Sequence, residues 1–164
     1  MIMYDIVIQM LAEGKMAPTE EGLIDVDFMI LADGAQAVGG KLYMLGGGWT
    51  HVFVPQFPGP PIAPFAIALG LTVPYHLTNR RFGFVLELTD ADGTRIGDLL
   101  SGELEQGRPP GLRAGTSQPI LIAVNARPEF PEPGRYSFNA SIDGQPMRSI
   151  AFEAVEQMQQ PQGT

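Results

Sequence analysis

The sequence contains no cysteine, which removes disulfides, thiolate nucleophiles and cysteine-ligated zinc together. Histidine is almost as scarce. His51 and His76 sit in proline-flanked or turn-like surroundings, without the spaced carboxylates that a metal site needs. Charged residues make up only 17% of the chain, too few for long surface helices, which draw on Glu, Lys and Arg. Basic residues are fewest, and 10 Lys and Arg against 18 Asp and Glu leave a net charge of −8. Phosphate backbones and anionic lipid repel such a chain, so neither nucleic acid nor membrane is an expected partner. No apolar run is long enough to span a bilayer as a helix. Asp5 interrupts the first apolar stretch, and no basic residue precedes it. A signal peptide is therefore not expected, and the chain reads as cytoplasmic. Catalytic signatures are missing too. There is no Gly-x-Ser-x-Gly elbow, phosphate-binding P-loop or dinucleotide fingerprint, and no cofactor is expected.

What the chain does have is 20 Gly and 15 Pro within 164 residues that are 45% apolar. That balance fits one globular domain built from many short elements joined by turns. From Ile24 onward the apolar residues recur with period two. Phe65, Ile67, Leu69, Leu71 and Val73 alternate with the small residues Ala66, Ala68, Gly70 and Thr72. Phe82, Phe84, Leu86 and Leu88 repeat the pattern, as do Tyr136, Phe138, Ala140 and Ile142. Strands are also read at 26–30, 41–45, 96–104 (with a bulge), 118–125 and 150–154. The 118–125 run is apolar at nearly every position, as in a strand buried on both faces. Gly39-Gly40, Asp92-Gly93 and Asp143-Gly144 supply hairpin turns. About eight strands with this spacing predict an all-β, two-sheet antiparallel sandwich, an immunoglobulin-like Greek key first and a closed β-barrel second. The domain is placed at 24–156, after an N-terminal extension (1–23) and before a disordered Gln-rich tail (157–164). Two readings fit the extension: a short amphipathic helix, or a translation start at Met16 that leaves the first fifteen residues outside the native protein.

Several stretches resemble an uncharacterised family of small bacterial β-sandwich proteins, a domain of unknown function. They are Leu31-Ala32-Asp33-Gly34-Ala35-Gln36, then Gly40-Lys41-Leu42-Tyr43-Met44-Leu45-Gly46-Gly47-Gly48-Trp49, Val73-Pro74 before Asn79-Arg80-Arg81, Gly107-Arg108-Pro109-Pro110-Gly111, and Pro133-Gly134-Arg135-Tyr136. The resemblance covers roughly residues 26–155 and implies a β-sandwich, but no activity.

Few residues invite chemistry. Asp90-Ala91-Asp92-Gly93 has the look of a calcium loop but lacks the closing Glu, and Asp-Gly at a hairpin turn explains it. Glu103 and Glu105 fall on one face of a strand, roughly 7 Å apart, a spacing that glycosidase-type acid/base work can use. Alternating charges also describe a solvated strand. Trp49 follows three glycines and either stacks on a sugar or turns into the core. Arg80 and Arg81 point to opposite faces of a strand, so only one of them can serve an anion. Arg108 lies in a Gly/Pro-rich loop, 107–115, which with the proline-rich 54–64 segment is expected to frame one end of the sandwich. Tyr136 after Pro133-Gly134 predicts a tyrosine corner.

Trp49, Arg80 and Arg108 are thus the candidate contact residues. The leading reading is a non-enzymatic interaction or assembly module that binds a protein partner or a second copy. The alternatives are a carbohydrate- or small-ligand-binding sandwich using Trp49, and a hydrolase using Glu103 and Glu105.

Overall fold

A computed structural model describes residues 22–158; the expectations for residues 1–21 and 159–164 lie outside them. Ten strands are described: β1 (Asp25–Ala32), β2 (Gly34–Val38), β3 (Lys41–Leu45), β4 (His51–Val54), β5 (Phe65–Val73), β6 (Arg81–Asp90), β7 (Arg95–Glu105), β8 (Gln118–Ala126), β9 (Gly134–Ile142) and β10 (Gln145–Glu156). One sheet has the order β1-β5-β8 and faces a second with the order β4-β10-β9-β6-β7, while β2 and β3 form a separate hairpin. Neighbours in the two sheets pair antiparallel, except β4, which runs parallel to β10. The first strand of the sandwich is thus divided between the sheets as β1 and β4, with the hairpin inserted between its halves. This is an immunoglobulin-like sandwich. Its sheets have free edges, so the closed barrel is not formed.

The core follows from the alternation. Phe65, Ile67, Leu69, Leu71 and Val73 of β5 face Phe82, Phe84, Leu86 and Leu88 of β6, Tyr136 and Phe138 of β9, and Phe152 of β10, all buried. Rings of Phe138 and Phe152 stack at 5.1 Å. Tyr136 makes the corner: its hydroxyl donates to the Glu132 carbonyl at 2.7 Å. Asp143 (φ 48°) and Gly144 (φ 78°) both take the left-handed conformation that a tight two-residue β9–β10 turn requires. The β6–β7 register slips between Leu86 and Glu87 and again between Leu88 and Thr89, which is the bulging expected there.

Three expectations change. Strands β2 and β4 were not foreseen, because β2 (Gly-Ala-Gln-Ala-Val) shows no alternation of bulky apolar residues and β4 has only four positions before the prolines. Strand β8 is not buried on both faces. It is the last strand of its sheet, and its inward Ile120, Ile122 and Val124 are only half-buried. The loops 54–64 and 107–115 do not frame one end. Segment 54–64 enters β5 at Phe65, which pairs with Ala126, whereas 107–115 leads to Gln118, which pairs with Val73 at the far end of β5.

Candidate functional site

The apolar surface concentrates around the β2–β3 hairpin. Its neck is fixed by Asp33 N–H donating to the Leu45 carbonyl (3.0 Å) and Gly48 N–H to the Leu31 carbonyl (2.7 Å). Gly46 adopts φ 61°, and the Asp33 carboxylate fills the space that a side chain at 46 would need. Strand β2 lies beside β5 and β8, where the outward-facing Asn125 donates from Nδ2 to the Ala35 carbonyl at 3.2 Å. The outward residues of β5 are small, and Ala66 and Ala68 are fully buried. The Phe28 ring lies where a Gly70 side chain would go. The hairpin's other side is bare: Leu45 is 75% exposed, Tyr43 56% and Val38 51%, and Met44, on the opposite face, is still 41% exposed.

This apolar strip continues past the neck. Gly46, Gly47, Trp49, His51, Phe53 and Ile62 line a cavity of about 580 Å³, and Phe53 and Ile62 are also exposed. Trp49 itself is built into the fold, edge-on to Phe65 (5.3 Å) and Phe152 (6.3 Å). Its indole N–H is buried without a hydrogen-bond partner among the described residues.

Arg108 is a clamp between loops. Its Nε donates to Thr78 Oγ1 (2.9 Å), Nη2 to the Tyr75 carbonyl (2.8 Å), and the guanidinium lies 3.9 Å over the Tyr75 ring. Arg80 is exposed, far from Trp49 along the fold, so the three candidate residues are not brought together: Arg80 and Arg108 flank the loops at the β6 start, whereas Trp49 lies at the β5 start. Arg81 reaches Glu103 (3.6 Å) and Glu105 (3.3 Å) across the β6–β7 ladder, so a cation stands between the carboxylates considered for catalysis. The Asp90 carboxylate accepts from the backbone N–H groups of Asp92 and Thr94 and thereby closes the hairpin turn. Among the described residues no three His, Asp or Glu side chains gather as a metal site.

Another groove, about 740 Å³, runs between β7 and the β8–β9 connection. Most of its charges are engaged. Arg95 pairs with Asp98 and Glu87, and its hydrogen bond holds the Asp98 carboxyl below the ordinary carboxylate range. Arg127 donates to the carbonyls of Pro61 and Ile62.

The sandwich with its inserted hairpin belongs to a family of unknown function, DUF6941, matched over residues 27–155. No curated protein matches the chain. Among solved structures, the Pseudomonas fluorescens alkylpurine DNA glycosylase AlkC, bound to DNA containing an abasic-site analogue, aligns at a TM-score of 0.44 and 11% identity. That alignment covers 81% of this chain but only 30% of the glycosylase. An immunoglobulin-like protein from Pseudomonas aeruginosa aligns at a TM-score of 0.38 and 14% identity over 84% of this chain and 100% of its own. Neither likeness bears on function at these scores. No helix among the described residues is long and apolar enough to cross a membrane.

Sequence reasoning missed the hairpin surface. The signal was present: Leu42-Tyr43-Met44-Leu45 are four consecutive apolar residues in a strand of five, which puts apolar side chains on both faces of the strand.

Proposed function

We propose that the protein is a non-enzymatic interaction module whose docking surface for a protein partner is the β2–β3 hairpin. The observation that carries this reading is the exposure of Val38, Tyr43, Met44 and Leu45 on one short hairpin. A two-stranded ribbon is marginal in water by itself, and contiguous exposed apolar residues on a soluble domain mark interaction sites. Tyr is a frequent anchor in such interfaces.

The test is site-specific photocrosslinking in the native cell. A photoreactive residue in place of Leu45 should give a discrete protein adduct, and one in place of Glu87, on the polar outer face of the other sheet, should give none. Absence of an adduct at 45, or equal adducts at both positions, removes the proposal.

A second reading, a small-ligand site beside Trp49, draws on the unpartnered indole N–H next to the 580 Å³ cavity. Iodide quenching of the single tryptophan decides it: a ring that iodide cannot reach, with no spectral shift across a glycan panel, excludes sugar stacking.

A further inference from the structure

Among the described residues the two sheets have four free edges, and three are defended. On β1, the Arg148 guanidinium donates to the Val26 carbonyl at 2.6 Å. On β4, only four residues long, the Phe53 carbonyl is taken by the Ile62 N–H at 3.0 Å. Strand β7 is bulged against β6 and carries Arg95, Asp98, Glu103 and Glu105. Strand β8 is neither charged nor bulged; Pro119 stands near one end, and β2 lies beside it where Asn125 donates to the Ala35 carbonyl. Its nine residues, Gln118-Pro119-Ile120-Leu121-Ile122-Ala123-Val124-Asn125-Ala126, include no charge, and its ladder is made only with β5.

We propose that a second copy of the chain pairs antiparallel on this edge, joining two three-stranded sheets about a two-fold axis at Ile122. A free strand edge presents backbone donors and acceptors, so its natural occupant is another strand. The sequence of β8 is compatible with itself in that register. Ile120 falls opposite Val124, Leu121 opposite Ala123, Ile122 opposite Ile122, and Gln118 opposite Ala126. The remaining pair sets Pro119, which has no N–H to give, against Asn125 at the end of the ladder. A large residue thus meets a small one on the outer face, and β-branched residues meet on the inner face.

Charge selects this edge over the others. Each copy carries −8, and β8 is uncharged and longer than the other uncharged edge, the four-residue β4, so two copies meet along it without opposing like charges. One nine-residue edge buries less than the roughly 800 Å² per partner of a standard interface. The dimer is therefore reversible and concentration-dependent, and it tightens as salt screens the mutual repulsion. The two surfaces adjoin at Asn125, but the ladder is centred on Ile122 and the hairpin's exposed residues on Tyr43 and Leu45, so substitutions at 123 and at 45 tell the two readings apart.

Sedimentation equilibrium over a concentration series tests it. The weight-average mass of the wild type should rise from 17.7 kDa toward twice that value, and rise further in high salt. Ala123→Lys should stay monomeric with an unchanged dichroism spectrum, while Leu45→Lys should dimerise like the wild type. Because the chain has no cysteine, a single introduced thiol reports the register independently. Ile122→Cys should form a disulfide-linked dimer under mild oxidation, and Leu45→Cys, although more exposed, should not. A wild type that remains at 17.7 kDa throughout, or crosslinking at 45 in preference to 122, overturns the proposal.

Discussion

The outer faces of the two sheets differ in kind. On the five-stranded sheet the outward positions of β6 and β9 include Glu87, Thr89, Arg135, Ser137, Asn139 and Ser141, half-buried or exposed except for Thr89, which accepts a hydrogen bond from Asn139 at 2.9 Å. On the three-stranded sheet the outward positions include Phe28, Ile30, Ala66, Ala68, Gly70, Leu121 and Ala123, with the polar Thr72 and Asn125 only toward its two ends. The first face is an ordinary solvated surface. The second is a second, thinner core, covered in part by Phe28 and the hairpin. An apolar outer face needs a cover, and the chain spends a hairpin on it that then presents its own apolar back to solvent.

The largest effect expected from breaking this difference is at two matched glycines. In Gly70→Ala the new methyl meets the Phe28 ring, whereas in Gly83→Ala its nearest neighbour is the Asp143 carboxylate at an ordinary 3.5 Å. Overpacking at 70 should cost about 1–3 kcal/mol, and the change at 83 should stay within about 0.5 kcal/mol. Denaturant unfolding measures both, and equal costs would mean that the two outer faces are packed alike.

Next in size is the corner beneath both faces. Tyr136→Phe removes the hydroxyl bond to Glu132 and should cost about 1 kcal/mol. Burial raises the Tyr136 pKa above its ordinary 10.0, so the folded state favours the neutral phenol. That contribution is complete below the unfolded-state value and is lost as pH rises through the folded-state one. The gap in melting temperature between wild type and Tyr136→Phe should therefore narrow in alkali. A gap that widens there would contradict the sign.

The smallest effect belongs to the polar sheet's edge. Arg81→Gln breaks exposed pairs with Glu103 and Glu105 and should cost about 0.5 kcal/mol or less. A thermal melt shifted by many degrees would show that this edge carries more than solvated charge.

The sandwich was legible in the sequence because period-two alternation leaves few other folds. Phe82, Phe84, Leu86 and Leu88 must share a face, and another layer must cover them. The tyrosine corner was legible because its turn and ring adjoin in sequence. What covers a strand's second face was not. The run Ile120 to Val124 reads the same whether it is central or at an edge, since alternation reports which side chains share a face and not which strand lies beside them. The hairpin surface was hidden for a related reason. Gly39-Gly40 announces a turn, but only the tertiary arrangement shows that β3 gains no third strand. Trp49, Arg80 and Arg108 drew attention by residue type, yet the structure engages Trp49 and Arg108 in packing and loop clamping.

The most direct test of the central claim is oxidative footprinting by mass spectrometry, comparing the purified dilute chain with the same chain in its native cell. Tyr43 and Met44 should oxidise readily when purified and become protected in the cell, while residues on the polar outer sheet, such as Arg135, show no change between the two. Equal oxidation of Tyr43 and Met44 in both settings would mean that the hairpin meets no partner.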